Sequence, residues 1–178
     1  YNEFRYYYKQ SITYNRMKIK LLTIISIIII SGSLPINSFA STLKNGMAAH
    51  HLLGAGAATE NFTVNTSGLT SSTFNGPKDV IYDHNDSRIF VADSGNRRVL
   101  VFNTNSSGIP LDYTADYVIG QPDFTTNSAT ITQNKLNGPR GITYDSVNKF
   151  LFVSDNTTWG RIMVFDLSSG ITNGMNAS

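Results

Sequence analysis

Short runs of alternating apolar and polar residues, separated by turn residues, recur along the chain from residue 74 onwards. The alternation is clear at Val99 and Val101, and again at Ile162 and Val164. A period of two places every second side chain on the same face, which is typical of strands that turn one face to a core. Segments rich in turn residues, such as DHNDS, SGN and DSVN, separate the runs. The pattern therefore predicts an all-β protein.

The same pattern occurs twice, which indicates an internal repeat. The segment FNGPKDVIYDHNDSRIFVADSGNRRVLVF begins at Phe74, and the segment LNGPRGITYDSVNKFLFVSDNTTWGRIMVF begins at Leu136. They match at a constant offset, with one residue inserted in the second copy before its last run. Repeats of this kind decide the fold before single elements do. The strands predicted from the two copies lie at 79–82, 88–92, 98–102 and about 113–119, and at 141–144, 150–154 and 161–165.

Four antiparallel strands in about 60 residues are typical of one blade of a β-propeller, a ring that closes with about 4–8 blades. We therefore expect a β-propeller of four-stranded antiparallel blades, of which this chain contains about two. The first blade is predicted at 74–135 and the second, incomplete, at 136–178, so that the chain reads as the N-terminal part of a longer ring. Residues 41–73 are predicted to be a linker with a latch strand at 49–53, which would complete the last blade.

Residues 17–40 have the pattern of a secretory signal peptide. Two lysines precede an apolar run at 21–30, and the small residues Ser38 and Ala40 suit signal peptidase. We predict cleavage after Ala40 and a secreted, periplasmic or cell-surface protein. The alternative is an uncleaved membrane anchor, although the apolar run is shorter than the about 20 residues of a typical span. Residues 1–16 are predicted to be a non-native upstream segment or a disordered tail.

The formal charge of +2 is concentrated at the N-terminus. Residues 1–40 hold five basic side chains and one acidic one, whereas residues 41–178 hold nine basic and eleven acidic ones. A mature chain with a charge of −2 argues against a nucleic-acid partner. The sequence contains no cysteine, which excludes disulfides, thiolate metal sites and a cysteine nucleophile.

The repeat resembles the NHL repeat, whose pattern begins with Pro-x-Gly-apolar, continues with apolar-Val-Ala-Asp and ends with Asn-x-Arg-apolar-x-Val-Phe. The segment VIGQPDF at 118–124 is similar to an extended version in exported bacterial NHL-type proteins. Two features depart from the pattern, namely Asp79 in place of glycine and the altered loop at 156–160. The matching residues are the runs IFVAD and LFVSD together with Pro77, Pro139, Gly141, Asn96, Arg98, Val101, Phe102, Arg161, Val164 and Phe165.

This resemblance implies an exported propeller that acts as a binding platform for a protein or a carbohydrate ligand. The alternative is a propeller lyase or hydrolase whose catalytic residues lie in blades that this chain does not contain. We favour the binding platform, and we predict no catalytic residue, no metal site and no cofactor in this chain. A membrane contact is expected only through the leader, if the leader is not cleaved, and the remaining blades are the expected intramolecular partners.

Asp93 and Asp155 end the second strand of each copy, and Arg98 and Arg161 begin the third. The aspartates could form a ring of carboxylates for a metal ion or a substrate, and the arginines could bind an anion. Because all four recur at the same repeat position, we interpret them as structural residues that form turns and ion pairs.

Lys78 and Arg140 follow the proline that opens each copy and are predicted to lie at the mouth of the channel. Together with Trp159, which lies in the altered loop, they are the candidate ligand-binding residues. An exposed Trp159 would suit sugar stacking or a protein contact; the alternative is that it covers a blade edge. The three histidines are not predicted to bind metal, because the adjacent His50 and His51 would point to opposite faces of a strand.

Overall fold

The computed structural model describes residues 46–56, 62–63, 66–156 and 160–178. All of its strands belong to one compact unit, Ala48–Ser178. The predicted tail at 1–16 and the predicted signal peptide at 17–40 lie outside the described residues.

Seven antiparallel strands form two sheets. The strands are β1 Pro77–Asp83, β2 Arg88–Asp93, β3 Arg98–Asn103, β4 Tyr117–Ile119, β5 Pro139–Asp145, β6 Phe150–Asp155 and β7 Arg161–Asp166. In sheet 1 the strands are neighbours in chain order, β1-β2-β3-β4, and sheet 2 has the order β5-β6-β7. A short 3-10 turn, Ser94–Asn96, connects β2 to β3.

The all-β prediction is confirmed, and the six strands predicted in matching pairs are present with ends displaced by two residues or fewer. The fourth strand is shorter than predicted and begins at Tyr117 instead of about residue 113. The Asp112 carboxylate accepts hydrogen bonds from the backbone N–H and the hydroxyl of Thr114, both at 2.7 Å. This side-chain turn competes with extension of the strand.

The segment at 49–53, predicted to be a latch strand, is not a strand in this structure. Among the described residues near it, the bridge between Ala55 and Thr73 is its nearest ladder contact. A strand forms only against the edge of a neighbouring strand, and the last blade that this segment was predicted to complete is not part of the described residues.

The two sheets stack face to face. We call the side of each sheet that carries Val91 or Val153 its leading face, and the side that carries Phe90 or Phe152 its trailing face. The trailing face of sheet 1 packs on the leading face of sheet 2, and in the described residues the sheets do not close into a ring. The core between them contains Phe90, Ala92, Val99, Val101 and Ile119 of sheet 1 and Ile142, Leu151, Val153, Met163 and Phe165 of sheet 2.

Polar contacts also join the stacked sheets. The Asp79 carboxylate accepts a hydrogen bond from the backbone N–H of Ile142 at 2.8 Å, just after an irregularity in the register of β5. At the hairpin end of the sheets, the Lys149 ammonium lies 2.8 Å from the Asp86 carboxylate. Asp79 is the residue that replaces the glycine of the repeat pattern, so the departure from the pattern provides a contact to the next sheet.

Candidate functional site

The Asp93 carboxylate is the centre of a buried network at the end of β2. One oxygen accepts hydrogen bonds from Arg98 Nε and from the Asn96 amide, both at 2.8 Å, and the other accepts the backbone N–H of Asn75 at 2.7 Å. Asp93 and Arg98 are both fully buried. A buried charge requires this kind of pairing, because an unpaired one would lose its hydration without compensation.

The remaining donors of Arg98 hold two loops against the sheet. One terminal nitrogen donates to the carbonyl of Phe124 at 2.6 Å. The other donates to the carbonyls of Thr70 and Thr73 at 2.8 and 2.9 Å. All three guanidinium nitrogens bond to groups of the protein, which uses four of the five N–H donors of Arg98, and the side chain is fully buried.

The second copy repeats this arrangement with Asp155 and Arg161. Arg161 Nε lies 2.9 Å from the Asp155 carboxylate, which also accepts two backbone N–H groups of the loop before β5. The terminal nitrogens of Arg161 donate to the carbonyls of Thr132 and Lys135. The Arg161 side chain is 23% exposed, in contrast to the fully buried Arg98. Both predicted pairs therefore connect β2 to β3, or β6 to β7, within one sheet.

Lys78 lies in a cleft of about 690 Å³ on the leading face of sheet 1, beside Asp79 and Val80. Arg140 lies in a second cleft, of about 460 Å³, which Ser154 and Ile162 line on the trailing face of sheet 2. The two predicted ligand-binding cations thus occupy the same repeat position on β1 and β5, but they lie in two separate clefts, on opposite faces of their sheets.

Lys78 and Arg140 differ from Arg97, Lys135 and Lys149 in their partners. Both are exposed, and within the described part of the chain neither charged group has a hydrogen bond or an ion pair. By contrast, Arg97, Lys135 and Lys149 each donate from their charged groups to side chains of neighbouring loops. The cationic groups of Lys78 and Arg140 are therefore accessible to an anionic ligand.

The predicted ligand residue Trp159 lies outside the described residues. Its neighbours along the chain, Asn156 and Gly160, line the same cleft as Arg140. The described ends of the altered loop therefore border this cleft together with Arg140.

Sequence reasoning missed a polar cluster that both sheets contribute to. Asp83 Oδ2, Arg88 Nε and the Tyr144 hydroxyl are buried and have no hydrogen-bond partner. Burial, followed by the nearby carboxylates of Asp83 and Asp86, raises the pKa of Tyr144 to about 12. The Tyr144 ring packs against Phe90, with centroids 5.3 Å apart. The phenol therefore stays protonated at physiological pH.

In the described ranges, no group of three or more histidine, aspartate or glutamate side chains is placed to hold a metal ion. His51 lines the cleft of Lys78, and His84 packs edge-on against Tyr82 with ring centroids 6.0 Å apart. The same residues include no helix with the length and hydropathy of a membrane span.

Comparison with known proteins does not identify a family for this chain. A scan against protein-family models and a search of curated proteins both returned no match.

Proposed function

We propose that this chain carries two consecutive blades of an exported NHL-type β-propeller that serves as a binding platform for a protein or a carbohydrate ligand. Two observations support the propeller. First, the two sheets share the same strand order and the same Asp–Arg ion pair. Second, the trailing face of sheet 1 packs on the leading face of sheet 2, as consecutive blades of a propeller do. The signal-peptide pattern at 17–40 supports export.

The observation that carries the binding role is the pair of exposed, unpartnered cations. Residues that recur in a repeat ordinarily serve its scaffold, and the repeated Asp–Arg pairs do so here. Lys78 and Arg140 also recur, directly after the proline of each copy, yet within the described residues their charged groups have no hydrogen bond and no ion pair. Two free cations beside shallow clefts favour a ligand with carboxylate groups, since ammonium and guanidinium groups bind carboxylates through charge-assisted hydrogen bonds.

Binding to two carboxylate polymers tests this proposal and distinguishes the ligand classes. Polygalacturonate is the carbohydrate probe and poly-glutamate is the peptide probe, each immobilised and offered to the purified full chain. We expect binding to at least one of them that weakens as ionic strength rises, because the contacts are exposed.

The double variant Lys78→Gln, Arg140→Gln should lower the affinity about tenfold or more, which corresponds to about 1.4 kcal/mol. The matched control, Lys135→Gln with Lys149→Gln, removes the same charge from cations that already have partners in the fold. Equal weakening by the two double variants would show nonspecific attraction and contradict the proposed role of Lys78 and Arg140.

A further inference from the structure

Asparagine followed by glycine occurs at the same position of both repeat copies, as Asn75–Gly76 and Asn137–Gly138, and again after β7, as Asn173–Gly174. In such a dipeptide the backbone nitrogen can attack the asparagine side chain with little hindrance, because glycine has no Cβ. The fourth such dipeptide, at 45–46, begins outside the described residues. The hydrogen bonds of the three described dipeptides determine which of them can react.

In the second copy the dipeptide is held by hydrogen bonds on both reacting groups. Asp155 Oδ1 accepts the N–H of Gly138 as well as the N–H of Asn137, both at 2.8 Å. The Asn137 side-chain oxygen accepts a hydrogen bond from Arg97 Nε at 3.2 Å. The glycine nitrogen and the asparagine side chain are therefore both fixed.

The dipeptide after β7 is held in the same way, but by a strand of sheet 1. The Gly174 N–H donates to the Val118 carbonyl at 3.2 Å. The Asn173 side-chain oxygen accepts the Val118 N–H at 3.0 Å. Both reacting groups of this dipeptide thus pair with the backbone of β4.

The dipeptide of the first copy lacks both kinds of bond. Asp93 Oδ1 accepts the N–H of Asn75 at 2.7 Å, as Asp155 accepts that of Asn137. The Gly76 N–H and the Asn75 side-chain amide, however, form no hydrogen bond within the described part of the chain. Asn75 and Gly76 are both exposed.

A difference in the backbone accompanies this difference in bonding. Gly76 has a φ of 64°, in the left-handed region, whereas the φ of Gly138 lies outside that region. The bond that holds the Gly138 nitrogen comes from Asp155 of the same sheet. The lack of an equivalent bond at Gly76 is therefore a property of the first copy itself and does not depend on what packs against sheet 1.

We propose that Asn75 is a site of spontaneous modification, at which the side-chain amide is converted to a carboxylate through a cyclic imide. The Gly76 nitrogen attacks Cγ of Asn75, so that a new N–C bond forms and the bond from Cγ to Nδ2 breaks. Nδ2 leaves as ammonia and takes the proton of the Gly76 N–H. One water molecule then opens the ring at either carbonyl. The products are aspartate and isoaspartate, in which the main chain continues through Cγ.

The free N–H of Gly76 is what makes this reaction selective. The attack is intramolecular, so its rate depends on how often the nitrogen and Cγ approach each other in the correct orientation. At Gly138 and Gly174 the nitrogen must first break a hydrogen bond. We expect Asn75 to react at least about tenfold faster than Asn137 and Asn173 in the folded chain, which corresponds to about 1.4 kcal/mol of activation free energy.

Conversion of Asn75 alters the loop that Asp93 holds. The Asn75 N–H bonds to Asp93, and the Asn75 carbonyl accepts the Gly95 N–H at 2.8 Å. In isoaspartate that carbonyl becomes a free carboxylate outside the main chain. Either product also adds a negative charge to a residue whose backbone contacts the buried Asp93 carboxylate, and like charges repel. The modified chain should therefore unfold at a lower urea concentration.

Mass spectrometry of tryptic peptides measures the three sites in one sample of the folded full chain, incubated at mildly alkaline pH. The three asparagines fall into different peptides, at 45–78, 136–140 and 162–178, so that Asn137 and Asn173 are internal controls. Fragment ions separate Asn75 from the asparagine at 45. Digestion in heavy-oxygen water marks the conversion that takes place during digestion.

Incubation in concentrated urea provides the reference for each site. Without the fold, the three sites should convert at similar rates. In the folded chain, Asn137 and Asn173 should be at least about tenfold slower than in urea, whereas Asn75 should stay within about threefold of its rate in urea. Conversion of Asn75 in the folded chain that is no faster than that of Asn137 would overturn the inference.

Asn75→Gln is the matched variant, because its longer side chain would have to close a larger and less favourable ring. It should abolish conversion at residue 75 and leave Asn137 and Asn173 unchanged, and circular dichroism shows whether it is folded. Ion-exchange chromatography separates the modified chain by its added charge, and its urea midpoint should lie below that of the unmodified chain. An unchanged midpoint would refute the expected effect on the loop. All of these measurements are made without a ligand, so they are independent of the proposed binding function.

Discussion

Replacement of Arg98 by methionine tests whether the buried ion pair holds the loops of the repeat to the sheet. Arg98 is fully buried, with its Nε 2.8 Å from the Asp93 carboxylate. Its terminal nitrogens donate to the carbonyls of Phe124, Thr70 and Thr73. Methionine fills much of the same space with an unbranched apolar chain but offers no donor. The variant therefore leaves one carboxylate without its cation and three carbonyls without their partner.

The structure sets the expected loss of unfolding free energy. Removal of one member of a buried ion pair costs about 3–5 kcal/mol. The Asp93 carboxylate keeps its hydrogen bonds from Asn75 and Asn96, so we expect a value near the lower end, about 3 kcal/mol. The same substitution at Arg161 should cost about 1–2 kcal/mol, because that side chain is 23% exposed and water can reach the groups it leaves.

Urea unfolding followed by far-UV circular dichroism measures both losses. With a slope of about 1–3 kcal/mol per molar urea, the Arg98→Met midpoint should fall by about 1–3 M and the Arg161→Met midpoint by clearly less. Arg140→Met is the control, since Arg140 is exposed and has no partner in the described residues, and it should shift stability by no more than about 0.5 kcal/mol. A loss at Arg161 equal to or greater than that at Arg98 would refute the reasoning from burial.

Two further predictions concern the polar contacts between the sheets. Asp79→Ala should lower the unfolding free energy by about 1 kcal/mol, because it leaves the Ile142 N–H without its acceptor. Asp79→Asn should lower it less, because the amide oxygen can still accept this hydrogen bond. Equal losses of the two variants on urea unfolding would show that the effect does not come from this hydrogen bond. The hydrogen bond from Lys149 lowers the pKa of Asp86 below its ordinary 3.8, so this stabilisation is present above that pH and is lost as the pH falls through the lowered pKa. Lys149→Met should therefore cost about 0.5 kcal/mol at pH 7 and progressively less below pH 3.8, and a difference that does not vary with pH would contradict the assignment.

The strands could be predicted because local pattern and turn chemistry agree in both copies. Alternation over β3 and β7 defines a core face, and turn-rich segments mark the ends of the strands. The fourth strand was predicted too long because the turn at Asp112 depends on one side chain that bonds its own neighbours. The segment at 49–53 was predicted to be a latch strand, but strand formation depends on a partner strand that the described residues do not supply.

The contacts between the sheets could not be predicted from the sequence. The Asp79 carboxylate meets a backbone N–H in the following copy, and the pairing depends on how far apart and at what angle the sheets stack. The cluster of Asp83, Arg88 and Tyr144 could not be predicted for the same reason, since nothing in the sequence of each strand distinguishes these residues. The sequence pattern predicts the strands and turns that recur within one repeat, whereas the contacts between repeats can be found only from the structure.

The site follows from a contrast between two kinds of repeated residue. Asp93 and Arg98 recur in the second copy, and the structure shows that their bonds connect the loops and strands of one sheet. Lys78 and Arg140 also occupy one repeated position, but within the described residues their charged groups form no hydrogen bond or ion pair that would stabilise the fold. A charge retained at the same place in both copies without a scaffold partner is best accounted for by a partner outside the scaffold. The candidate site therefore rests on the contrast between two cations without hydrogen bonds or ion pairs in the described residues and the bonded Asp–Arg pairs of the same repeat. The Lys78→Gln, Arg140→Gln variant separates a binding role from a structural one. A binding role predicts a lower ligand affinity with an unchanged unfolding free energy, whereas a structural role predicts a lower unfolding free energy.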